Sequence, residues 1–90
     1  MSSNPFLENV VVVTGASSGI GRHLALQLAA QGAWLVLAAR NVDKLDEVAE
    51  LCREVGGTAL VVPTDVSELS QCRDLMERAI DAYERIDTLI

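Results

Sequence analysis

The 90-residue sequence predicts an α/β fold, a parallel sheet layered between helices in a three-layer αβα arrangement. Two observations point there. Unbroken aliphatic runs of strand length alternate with longer segments whose apolar residues recur at helical spacing, and the links between them are short. Half of the residues are hydrophobic but only 3% are aromatic, so the core is aliphatic. That is the texture of a sheet buried on both faces, not of a small disulfide-stapled module. Short links between alternating strands and helices mean βαβ units, and right-handed crossovers make 3-2-1-4 the simplest strand order.

The elements follow in order as β-α-β-α-β-α-β. Asn9-Val10-Val11-Val12-Val13-Thr14 is a β-branched run without polar alternation, the mark of a strand buried on both faces. Gly15-Ala16-Ser17-Ser18-Gly19 is a turn. A helix is predicted over 20–31, with Ile20, Leu24, Ala25, Leu28 and Ala29 on its apolar side and Gly32 closing it. A second strand spans 33–39. The helix over 42–55 places Leu45, Val48, Cys52 and Val55 on one face, and Gly56-Gly57 breaks it. A third strand spans 58–62 and stops at Pro63. Ser67 is the expected N-cap of a long helix whose buried face is Cys72, Leu75, Met76, Ala79, Ile80 and Tyr83. The segment 86–90 begins a fourth strand.

Every earlier strand is followed by a covering helix, and this last one is not. The expectation is therefore that residues 1–90 are the truncated N-terminal part of a single domain. A naturally small domain with an edge strand is the alternative.

Composition narrows the partners. A net charge of −6, with Arg22, Arg40, Lys44, Arg53, Arg73, Arg78 and Arg85 scattered along the chain, argues against nucleic acid. No basic n-region precedes an apolar stretch at the N-terminus, and no apolar run approaches the ~20 residues of a membrane span. A cytoplasmic protein without a membrane partner is expected. Cys52 and Cys72 lie on predicted apolar helix faces and are expected to be buried free thiols; the chain offers no set of metal ligands.

The chemistry sits at the first strand-to-helix turn. A helix N-terminus carries unpaired N–H groups and about half a positive charge, so it attracts phosphate. Glycines at the turn clear side chains from those N–H groups, and a third glycine lets helix and strand pack closely. Ser17 and Ser18 add hydroxyls at the mouth. Within a βαβ frame this turn reads as a dinucleotide pyrophosphate site formed by Gly15, Ser17, Ser18, Gly19, Ile20 and Gly21, against the alternative of a glycine turn kept for packing. A Walker A loop is excluded, because the sole lysine, Lys44, lies on another helix.

The pattern Thr14-Gly15-Ala16-Ser17-Ser18-Gly19-Ile20-Gly21 resembles that of the short-chain dehydrogenase/reductase family, with the spacing of its smaller dehydrogenases rather than of its extended sugar epimerases. Ala38-Ala39-Arg40, Asp65-Val66 and Ile86-Asp87-Thr88-Leu89-Ile90 are similar to further landmarks of the family in their usual order, so the resemblance spans essentially the whole chain. It implies a Rossmann-type domain and an oxidoreductase that passes hydride between a nicotinamide and a small carbonyl or alcohol substrate. It also allows a homo-oligomer.

The end of the second strand lies beside the adenosine ribose in a Rossmann unit, where a carboxylate would favour NAD. Here Ala39 and Arg40 stand instead, and a guanidinium pairs with a 2′-phosphate in bidentate fashion. NADP(H) is the expected cofactor, with a solvated loop arginine as the alternative. The resemblance implies that Ser17 also reaches the 2′-phosphate, places Asn41 to help, and implies that Asp65 and Val66 meet the adenine; Asp65 could equally cap the next helix. Arg22, just past the third glycine, either touches the cofactor or pairs on the surface; His23 reads as a surface or helix-start residue and Trp34 as core or rim. The family's Tyr-x-x-x-Lys signature is missing: the residue four places after the sole tyrosine, Tyr83, is Asp87. No catalytic residue is assigned, and the chain alone is expected to be inactive. A non-catalytic nucleotide-binding or partner-dependent fragment remains the alternative.

Overall fold

A computed structural model describes residues 9–17 and 19–90. Its elements run β1 (Val10–Thr14), α1 (Gly19–Ala30), β2 (Trp34–Ala39), α2 (Val42–Glu54), β3 (Thr58–Pro63), α3 (Leu69–Tyr83) and β4 (Thr88–Leu89). All strand pairs are parallel, in the order β3-β2-β1-β4. This is the expected Rossmann-type order.

The four consecutive valines of β1 explain its central place. Side chains alternate across a strand, so Val11 and Val13 face one side and Val12 the other. Val11 and Val13 join Leu35, Leu37, Leu45, Val48 and Cys52 in a core under α1 and α2. Val12 joins Val36, Ala38, Val62, Leu75 and Ala79 under α3. Each fully buried valine contributes about 1.5–3 kcal/mol, and only a strand covered on both sides can bury four in a row. The αβα layering follows. Among the described residues no helix is long and apolar enough to cross a membrane, and no group of three or more His, Cys, Asp or Glu side chains could hold a metal ion.

Several local expectations need correction. Ile20 does not contribute to the core; it is 86% exposed on the first turn of α1. Val55 and Ile80, expected on buried faces, are also exposed. Val55 has become the C-cap residue of α2, where the helix face no longer tracks the sheet. Ser67 does not cap α3. Its N–H and hydroxyl both donate to Asp65 Oδ1, at 3.0 and 2.6 Å. The helix starts later, from Glu68, whose side chain makes no capping bond. Cys52 is buried as expected, whereas Cys72 is only half-buried. Pro63 belongs to β3, paired with Ala39.

The fourth strand is short, but its attachment to β1 extends past its two residues. The N–H groups of Asp87 and Ile90 donate to Val10 and Val12 carbonyls at 2.9 and 2.8 Å. At one end Asp87 Oδ2 accepts from the buried Val10 N–H at 2.8 Å and from Arg85 Nε at 2.9 Å. At the other, Ile90 O accepts from both the N–H and the hydroxyl of Thr14, at 2.9 and 2.7 Å. Asp87 thus stands in for a strand neighbour.

The Val10 N–H, with Arg85 added, holds the Asp87 carboxyl below the usual carboxylate range against the opposing effect of desolvation. A carboxyl with a depressed folded-state pKa stabilises the fold above its unfolded pKa, and that contribution is lost as pH falls through the folded value. Asp87→Ala is expected to lower the unfolding midpoint at pH 7. The gap to the parent chain should close as pH falls well below about 4. Thermal unfolding followed by circular dichroism across that range checks it; a gap independent of pH would contradict it.

Candidate nucleotide-binding site

Three loops meet at the carboxyl ends of the strands, where open α/β sheets take their ligands. They are the turn after β1, the link after β2 and the link after β3. Backbone bonds hold them in mutual register. Ala16 N–H donates to Ala38 O at 3.2 Å, and Thr64 N–H donates to Ala39 O at 2.9 Å. Thr64 is buried, and its hydroxyl donates to Val62 O at 2.9 Å. The loops enclose an open cleft of about 530 Å³, within the ordinary range of small-ligand sites of ~300–1,000 Å³.

The cleft gathers most of the residues singled out from sequence: Gly15, Ser17, Arg40, Asn41, Asp65 and Val66 all line it. Ala39, Thr64 and Ser67 complete it. Ser18 lies outside the described residues. Gly19 and Ile20 open α1 but do not line this cleft, and the Ile20 side chain points to solvent.

The turn is built from glycines for two separable reasons. Gly15 and Gly19 hold φ of +64° and +55°, the left-handed region that glycine enters without strain. Gly21 is required by space. A Cβ there would strike the Gly15 carbonyl oxygen and lie 2.9 Å from its carbonyl carbon. Backbone therefore rests directly on backbone, and α1 starts as close to the end of β1 as a chain allows. The first N–H groups of a helix have no intrahelical partner, so this contact determines where those donors sit.

Each remaining residue is held by an identifiable partner. Asn41 is the N-cap of α2; its Oδ1 accepts from Lys44 N–H at 3.1 Å, which leaves its amide N–H₂ available as a donor. Arg40 is exposed and forms no ion pair among the described residues. Asp65 has its Oδ1 engaged by Ser67, and the Ser67 hydroxyl, then the Ser67 N–H, hold the carboxyl below its ordinary range, with Arg40 adding to the effect. The Asp65 N–H donates to Gln71 Oε1 at 2.7 Å, and the Cys72 thiol donates to Val66 O at 3.4 Å.

The first turn of α3 thus clamps the loop through Gln71 and Cys72, two residues that sequence reading left out of the site. Gln71 carried no signal of its own, because a glutamine on a helix reads as a solvated residue. Ser67 was singled out, but for the wrong partner.

With the site described, the chain can be set beside known proteins. The family model for short chain dehydrogenase matches residues 9–90. Over 82 residues the chain is 44% identical to the 11-beta-hydroxysteroid dehydrogenase-like 3 protein of Arabidopsis thaliana, covering 90% of this chain and 26% of that protein. Its fold matches the crystal structure of a hydroxysteroid dehydrogenase from Escherichia coli with a TM-score of 0.90 at 29% identity, covering 96% of this chain and 37% of the other. It also matches a short chain dehydrogenase/reductase from Burkholderia phymatum, solved in complex with NAD. There the TM-score is 0.89 at 36% identity, covering 93% of this chain and 30% of the other. The chain spans about a quarter of the length of the curated relatives it matches.

Two outcomes test the site's construction. Gly21→Ala must push α1 off the turn, a strain of about 1–3 kcal/mol, seen as a lower denaturation midpoint. Ser67→Ala removes the hydroxyl bond to Asp65 Oδ1 and leaves the N–H bond, and should raise the Asp65 pKa toward the ordinary carboxylate value. An NMR titration of the Asp65 carboxyl carbon reads that shift, and an unchanged titration would contradict the hydrogen-bond assignment.

Proposed function

The chain belongs to the short-chain dehydrogenase family, and from that premise we propose that it binds NADP(H) in preference to NAD(H), as the nucleotide-binding part of an oxidoreductase acting on a carbonyl or alcohol. The observation that carries the choice of nucleotide is Arg40, exposed in the cleft at the end of β2 and without an ion pair among the described residues, with Ala39 beside it where a ribose-binding carboxylate would stand. Kinship alone does not choose: the Burkholderia phymatum relative was solved with NAD.

The residues present fit such a ligand. Gly15, Gly19, Ile20 and Gly21, with Ser18, would present backbone N–H groups to the pyrophosphate. Ser17, Arg40 and the free amide of Asn41 would hold the 2′-phosphate, and Asp65 and Val66 the adenine edge. For Gly15, Ser17, Arg40, Asn41, Asp65 and Val66 the support is the shared cleft and the free donors that line it; for Gly19, Ile20 and Gly21 it is their place in the first turn of α1. The nicotinamide of the bound dinucleotide supplies or accepts the hydride.

The chain itself binds and orients. It holds no Tyr-x-x-x-Lys pair, since Lys44 is its only lysine and Asp87 follows four places after Tyr83. A tyrosine acid in such chemistry needs a neighbouring cation to lower its pKa. At Tyr83 burial outweighs the lowering effect of the Arg53 charge and pushes the pKa up, and its hydroxyl donates to Leu35 O. Hydride transfer is assigned to residues that this chain does not contain.

A charge-assisted hydrogen bond contributes about 1.5–3 kcal/mol, or roughly one to two decades of affinity. Nicotinamide-fluorescence titrations should show NADPH binding about ten- to a hundred-fold tighter than NADH. Arg40→Ala should cut the difference sharply, and Arg40→Asp should reverse it. Equal affinities in the parent chain, or a preference that survives Arg40→Asp, would defeat the proposal.

A further inference from the structure

Resting on the NADP(H) reading above, we infer that Arg22 and Lys44 form an outer pair of cations for the ribose 2′-phosphate, so that nucleotide choice is set by three bases and not by Arg40 alone. Arg22 and Lys44 are 22 positions apart in sequence but line one cleft of about 210 Å³ between the first turns of α1 and α2, together with Glu47. Ser17 lines both this cleft and the larger one that contains Arg40. The two clefts therefore adjoin at Ser17, the residue assigned to the 2′-phosphate.

Charge makes the arrangement notable. The chain has 13 acidic residues against seven Lys and Arg, so its net field repels a dinucleotide. Three of those seven bases converge around Ser17. None of the three forms an ion pair among the described residues, although Glu47 lies one helical turn from Lys44 and lines the same cleft. Two ion pairs, Arg53 with Glu50 and Arg85 with Asp87, use other bases. A 2′-phosphate carries close to two negative charges at neutral pH, and long flexible side chains can approach it without altering the backbone. Glu47 opposes it from the same wall. The cations favour NADP(H) over NAD(H) because the former adds the 2′-phosphate beside Ser17, whereas the pyrophosphate near Gly19, which lines the same cleft, is common to both.

The test is titration of the full chain with NADPH and NADH, followed by nicotinamide fluorescence, with circular dichroism as the check on folding. Arg22→Gln and Lys44→Gln should each weaken NADPH by about two- to five-fold. The double variant should lose roughly ten-fold for NADPH and clearly less for NADH, and the losses should shrink in high salt. Glu47→Gln should tighten NADPH by about two- to five-fold; this gain keeps the test decisive if a loss variant folds poorly. NADPH affinity unmoved in the double variant and in Glu47→Gln, while Arg40→Ala still cuts the preference sharply, overturns the outer pair and leaves the NADP(H) reading standing. Equal weakening of both nucleotides overturns it too. No preference for NADPH in the parent chain defeats the reading itself, and the outer pair with it.

Discussion

Gly21 rests its Cα against the carbonyl oxygen of Gly15, leaving no space for a side chain. Much of the molecule is organised by that contact. It sets the distance from the end of β1 to the start of α1, and so the position at which the helix presents its unpaired N–H groups. It also lets Ala25, Leu28 and Ala29 of α1 reach the sheet closely enough to cover Val11 and Val13. A bulkier residue at this point would separate helix from strand, opening the core and displacing the donors together. Fold and site share one constraint.

The sheet transmits this placement to the other loops. Thr64 N–H bonds to Ala39 O, and Ala16 N–H to Ala38 O, so the turn after β1 and the link after β3 are both hung on the last residues of β2. Arg40 and Asn41 leave β2 from that shared anchor. On the other side of β1, Asp87 and Ile90 tie β4 at both ends of the strand. The central strand is thus fixed by neighbours on both edges and by cores on both faces.

Strand order, layering and most of the cleft were legible in the sequence, because a run such as Val10 to Val13 admits only a strand covered on both sides and a glycine turn between strand and helix has few structural uses. What could not be read were features decided by three-dimensional competition. Ser67 looks like a helix cap in one dimension, but α3 starts from Glu68, and the Ser67 N–H and hydroxyl turn back to donate to the Asp65 carboxylate. Ile80 repeats at helical spacing with Met76 and Tyr83, yet α3 meets the sheet along a narrower stripe centred on Leu75 and Ala79. Arg22, Arg40 and Lys44 look scattered along the chain and become neighbours of Ser17 only once α1 and α2 are packed side by side.

The pairing of Ser67 with Asp65 also bears on why Arg40 keeps its charge free. A lone carboxylate lining the same cleft is a ready partner for a guanidinium, and a closed Arg40–Asp65 pair would cancel the field that draws a phosphate. Asp65 instead accepts from the hydroxyl and N–H of Ser67 on one oxygen, while Gln71 takes its backbone N–H. These bonds fix the carboxylate in place, and Arg40 influences it without forming an ion pair. Exposed pairs of this kind contribute only up to about 1 kcal/mol, so the two Ser67 bonds that fix Asp65 Oδ1 compete with such a pair on equal terms. The α3 end of the cleft therefore does more than shape a wall: by occupying its own carboxylate, it leaves the cation on the opposite loop available to an anionic ligand.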